Sequence, residues 1–169
     1  VCSVIKEYES LFKECVAAKR ITKSNESFKI KLFLQKGENS LLIAKHIKDI
    51  VPKEGEPKKM YWNYWAITVS YYSMLYSAKA LILSKRYEIH DHDACAIALG
   101  YLCVPDEIEK ADLELLDQAY KIFEDEYVKY FEEAKVESHT ARYSAIHTYT
   151  ERRLAEIFEN ARKFTAKIS

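Results

Sequence analysis

Apolar residues recur at steps of three and four along most of the chain, the spacing of one face of an α-helix. Ile5, Tyr8, Phe12, Cys15 and Val16 mark a first amphipathic helix over about residues 2–19. Thr22-Lys23-Ser24-Asn25-Glu26 is a polar break in which Ser24 or Asn25 can cap the next helix. Leu34, Leu41, Leu42 and Ile50 seed the stripe of a second helix over 26–51, weakened in its middle by Gly37. Pro52, Gly55 and Pro57 mark a loop.

The third helix, 58–86, is the most apolar. Trp62, Trp65, Val69, Tyr72, Tyr76, Ala80 and Leu83 keep its period, while Tyr64, Ile67, Tyr71, Leu75 and Leu81 fill its other sides. A helix apolar on most sides sits centrally or at an interface. Ala66, Ala78 and Ala80 permit close approach of a neighbour. Asp91 or Asp93 caps a shorter helix over 92–103. Pro105 then opens a helix to about 135, with Asp106 and Glu107 in its first turn and Ile108, Leu115, Leu116, Ala119, Ile122 and Phe123 facing inward. A polar joint at Glu137-Ser138-His139-Thr140 leads into a last helix over 139–167 with Ile146, Leu154, Ile157, Phe158, Ala161 and Phe164. Five to six helices with short joints and no strand predict an all-α, antiparallel up-and-down bundle.

Composition agrees with that reading. The 169 residues fit one domain, and three Gly and three Pro leave few helix breakers. No apolar run reaches the roughly 18 residues of a membrane span, and the first residues lack a secretory layout. No membrane partner and a cytoplasmic location are therefore expected. Cys2, Cys15, Cys95 and Cys103 form no CxxC pair. Cys95 and Cys103 read as small buried hydrophobes, with a disulfide between helices as the alternative.

Lys plus Arg and Asp plus Glu balance at 26 each, so the chain is not a general nucleic-acid coat. The charges are nevertheless segregated. Residues 106–137 hold four basic and twelve acidic groups, whereas residues 1–60 hold thirteen basic and eight acidic. The acidic run reads as one solvated helix face. A local basic patch from the first and last segments is the alternative.

Residues 62–99 carry a more specific pattern. Tyr71-Tyr72-Ser73-Met74 is followed by Lys79-Ala80-Leu81-Ile82, an Arg86-Tyr87 turn, and His90-Asp91-His92-Asp93. Later, Arg142 and His147 stand five residues apart at the start of the last helix. This series resembles the HEPN family, in which a Tyr-Tyr helix precedes an Arg-x(4–6)-His motif. Ser73 replaces the family's usual Ala, and Arg86 stands where Gly is common. The resemblance spans about residues 26–167, with 1–22 as an added N-terminal helix on a single HEPN-like domain over 1–169. It implies a helical homodimer that needs no cofactor or metal. It also implies either a metal-independent ribonuclease, often the toxin paired with a nucleotidyltransferase-type antitoxin, or a non-catalytic module that binds nucleotides or proteins. Tyr143 follows Arg142 where active members carry Asn, Asp or His.

The chemistry fits those residue types. Metal-free RNA cleavage needs a base for the 2′-hydroxyl proton, an acid for the departing 5′-oxygen, and a cation on the phosphate. His147 suits the proton transfers, and Arg142 suits a bidentate phosphate clamp. Five helical residues turn about 500°, leaving the two side chains about 140° apart. The long Arg can wrap round, or a site can be assembled from two chains across a two-fold axis. The alternative pairs Arg142 with an acid such as Glu137. His139, Tyr143 and His147 share a face at steps of four, so Tyr143 and His139 can contact RNA, or simply pack. Tyr72, with Tyr71 and Tyr76, can line a nucleotide site or pack in the core. Lys79 on that apolar helix needs a partner, and a carboxylate is the expected one. The His90–Asp93 run lacks the spacing of a known zinc frame.

Overall fold

Among the described residues, six helices form where the apolar period places them: α1 (Cys2–Ala17), α2 (Phe28–Asp49), α3 (Lys59–Ser84), α4 (His92–Leu102), α5 (Lys110–Glu133) and α6 (Thr140–Ile168). The computed structural model describes the backbone of residues 2–133 and 140–169, and the side chains of residues 8–125 and 150–169. The joint predicted at Glu137–Thr140 therefore falls almost wholly outside the described residues.

α2, α3, α5 and α6 form an up-and-down bundle. α2 runs back along α3, since the Lys59 ammonium donates to the carbonyls of Lys48 (2.7 Å) and Ile50 (2.6 Å) while Phe33 lies beside Tyr76. α5 runs against α3, with Phe123 on Tyr71 and Glu107 just before α5 paired with Lys85. α6 runs against α5, from Arg153 near Asp125 (3.7 Å) to Lys167 on Asp112 (2.9 Å). Tyr71, Met74, Ala78 and Ile82 of α3 are at most 1% exposed and meet Leu99, Ile122, Ile157 and Phe164 in one core. α1 packs outside on α4, where the Phe12 and Tyr101 rings stand 4.6 Å apart.

Gly37 proves to be a contact point. A Cβ there would come within 2.6 Å of Ser77 Oγ and 3.1 Å of the Ser73 carbonyl. The α3 residues beneath it are small, and Ser70, Ser73 and Ser77 are fully buried. Their hydroxyls donate back to the carbonyls of Ala66, Ser70 and Ser73 at 2.7, 2.7 and 3.0 Å, so these three buried hydroxyls are satisfied within α3 itself.

Four expectations are corrected. The chain is not wholly without strand, because β1 (Ile21–Lys23) pairs antiparallel with β2 (Tyr87–Ile89), Ile21 opposite Ile89 and Lys23 opposite Tyr87. Three-residue strands are too short to show a period-two pattern and lie in segments that read as helix breaks. Neither Ser24 nor Asn25 caps α2, which starts after Ser27 with no side-chain cap. Leu42 is not in the α2 stripe but 66% exposed; Ala44 and Gly37 are the buried positions. Pro105 does not begin a helix. The Glu107 and Ile108 amides both bond to the Cys103 carbonyl, Ile108 plugs the core, and Asp112 accepts from the Glu109 amide at 2.8 Å. That turn delays α5 to Lys110.

Arg86 explains the glycine expected at its position. It has φ +65°, its amide bonds to the Leu83 carbonyl, and its carbonyl accepts from Ser24. This is the left-handed step that ends α3 and turns the chain into β2, and glycine takes it without a Cβ clash. Arg86→Gly is expected to raise stability by about 1 kcal/mol, read as a higher denaturation midpoint at unchanged m-value.

Candidate functional site

The α3–α4 junction is built on Asp91. Its carboxylate accepts from the Ala94 amide (2.9 Å), which makes it the N-cap of α4, and takes two hydrogen bonds from Arg20 at 2.7 and 2.5 Å. The Arg20 guanidinium holds the Asp91 carboxyl below its ordinary range. Thr22 Oγ1 bonds to His90 Nε2 at 3.0 Å. His92, the first residue of α4, meets the Tyr71 hydroxyl through Nδ1. The His90–Asp93 run thus caps α4 through Asp91 and ties Arg20, β1 and α3 to it. Among the described residues no three metal-ligand side chains converge.

Tyr71 is 1% exposed and sits at the centre of an aromatic cluster. Phe123 stacks on it at 4.9 Å, and Tyr120 lies 5.7 Å away. Tyr120 stacks on His92 at 5.0 Å. Burial raises the Tyr71 phenol well above its ordinary range. The Tyr120 hydroxyl donates to Glu124 at 2.5 Å, which pushes its pKa up to about 12. Neither phenol ionises near neutrality, so both act as donors or as packing.

The tyrosines separate by one residue. Tyr71 points into the core, whereas Tyr72 and Tyr76 are partly exposed. Lys79 is also partly exposed, and its partner is an aromatic ring: its ammonium lies 5.9 Å from the centre of Phe33. The expected carboxylate is not what it meets; among the described residues Lys79 makes no ion pair. Lys36 of α2 reaches the same place, 5.9 Å from the Phe33 centre and 5.5 Å from that of Tyr76. Phe33 and Lys36 escaped sequence reading. Their signal was present in the aromatic-x-x-Lys spacing shared by Phe33–Lys36 and Tyr76–Lys79, which puts each pair on one helix face.

Arg142, Tyr143 and His147 lie in the first turns of α6, but their side chains, and His139 altogether, lie outside the described residues. Ser77 of α3 stands beside Thr165 of α6, the hydroxyls 3.4 Å apart. The eighteen residues from His147 to Thr165 rise roughly 27 Å along the helix. Tyr72 and Lys79 are therefore level with the C-terminal half of α6, far along the bundle from Arg142 and His147.

Cys15, Cys95 and Cys103 are free and buried, so Cys95 and Cys103 are not joined. Burial pushes the Cys95 and Cys103 thiols up to about 12. Since the thiolate is the nucleophile, native protein at pH 8 is expected to leave both unlabelled by a thiol reagent until it is unfolded; rapid native labelling would contradict their burial.

Among the described residues no helix is long and apolar enough to cross a membrane. No curated protein matches the chain. A family model, the HEPN domain, matches residues 58–169, from the loop before α3 through the end of α6. That match takes in the Tyr-Tyr helix, the His92 contact and the Arg142–His147 pair in their expected order, and the chain belongs to the HEPN family.

Proposed function

We propose that this protein is a metal-independent endoribonuclease, acting as a homodimer and as the toxin-like member of a toxin–antitoxin pair in the cytoplasm. The observation that carries the reading is the Arg142–His147 pair at the start of the last helix of a HEPN domain. In the reaction the substrate's own 2′-oxygen attacks the adjacent phosphorus and the bond to the 5′-oxygen breaks. His147 accepts the 2′-hydroxyl proton or delivers one to the leaving oxygen. Arg142 holds the non-bridging oxygens, where charge builds in the transition state. The products are a 2′,3′-cyclic phosphate and a 5′-hydroxyl. Tyr143, four residues before His147, and His139, eight before it in the sequence, would contact the flanking nucleotide. The angle of about 140° between Arg142 and His147 positions favours a site completed by a second copy across a two-fold axis.

Tyr143 directly after Arg142 favours a second reading. In it the chain is a non-catalytic module that binds nucleotides or protein and partners a small nucleotidyltransferase. An oligoribonucleotide bearing 2′-deoxyribose at its cleaved linkage separates the two. The ribonuclease reading expects cutting there to stop while other linkages are still cut. Persistent cutting at the deoxy linkage would exclude attack by the 2′-oxygen, and no cutting of any RNA would leave the module.

A further inference from the structure

A row of partly exposed rings crosses the bundle from α5 over α3 to α2. Phe123 stands 6.1 Å from Tyr72, Tyr72 6.1 Å from Tyr76, and Tyr76 6.2 Å from Phe33. The last two rings are within 15° of parallel. Each of the four residues is partly exposed, although Tyr71 beside them is wholly buried. At the α2 end two ammonium groups, from Lys36 and Lys79, gather over the Phe33 ring. Among the described residues neither has a carboxylate partner, whereas nearby Lys29 has two, Glu26 and Glu88. Like charges brought to one ring without a counter-ion repel each other, and an anion relieves that repulsion.

Partly exposed rings spaced by about 6 Å, edged by ammonium groups without a carboxylate partner among the described residues, match a nucleic-acid strand: bases pack on the rings and phosphates meet the ammonium groups. A protein partner would need apolar burial, and the lysines would obstruct it. Glu26 and Glu88 near the α2 end are held by Lys29, and Glu124 near the α5 end accepts from Tyr120.

We infer that the row Phe33, Tyr72, Tyr76 and Phe123, with Lys36 and Lys79, binds single-stranded RNA at a surface separate from Arg142 and His147. The inference takes RNA as ligand from the proposed function but does not need the cleavage step. The lysine end of the row, level with Thr165, lies roughly 27 Å along α6 from His147, the reach of a strand of several nucleotides, so this surface would select longer substrates over short ones.

The test is anisotropy of a labelled oligouridylate of about 12 nucleotides with the full chain in EDTA, using His147→Ala so that the probe stays intact. Lys36→Gln with Lys79→Gln is expected to weaken binding about 10-fold and to flatten the salt dependence by roughly 0.7 per lysine. Tyr76→Leu is expected to weaken it about 5- to 100-fold. Lys36→Arg is expected to bind as the parent does. Because Lys36 is exposed, Lys36→Gln alone carries the test if the double variant does not fold. Unchanged affinity and salt slope in folded variants would overturn the inference, as would no binding by the parent, or uridine monophosphate binding as tightly as the oligomer. A parent that binds through these residues while wild type cuts nothing would overturn the cleavage reading alone.

Discussion

His147→Ala is expected to lower kcat/KM for RNA cleavage by about 10²- to 10⁴-fold, the usual contribution of a positioned acid or base. Arg142→Ala is expected to cost about 10²- to 10³-fold by removing charge stabilisation from the phosphate. Arg142→Lys should recover only part, since a lysine keeps the charge but loses the bidentate fork. Because the two residues act in one step, the double variant should be little worse than the poorer single one. All four variants are expected to melt like wild type, which thermal scans check. A variant that loses activity together with its fold would not report on chemistry.

Tyr71→Ala is expected to destabilise the protein by about 3–5 kcal/mol, the cost of emptying a large buried aromatic site. The ring is 1% exposed, packs on Phe123 and Tyr120, and its hydroxyl meets His92. Tyr72→Ala, one residue on, should cost about 1 kcal/mol or less but weaken RNA binding. Tyr71→Phe keeps the packing and removes the bond to His92, for about 1–2 kcal/mol. Denaturant midpoints measured beside oligonucleotide affinities check the contrast. Equal stability losses at the two tyrosines would contradict the division between a core residue and a surface one.

That division shows what a helical period can and cannot convey. Spacing identified α3 as central, but with apolar residues on every side it could not say that Tyr71 is core and Tyr72 surface. The phase is set by what packs against each side: Phe123 and His92 cover Tyr71. The Asp91 cap was legible because Asp before a helix start satisfies free amides locally. Its clamp on Arg20 was not, since 71 residues separate the pair. The opposite error occurred at Pro105, where a proline that suits a helix start lies instead in the turn that seats Ile108. Gly37 read as a weak point because propensity counts only the lost side chain; the close approach of Ser77 supplies the reason for it. Arg142 and His147 were legible as a motif. Phe33 and Lys36 became meaningful only when α2 was laid against α3.

RNA incubated with the purified protein in EDTA tests the central claim most directly. The account predicts fragments with 2′,3′-cyclic phosphate and 5′-hydroxyl ends, absent with a folded His147→Ala protein. Intact RNA, or equal cutting by that variant, would contradict it.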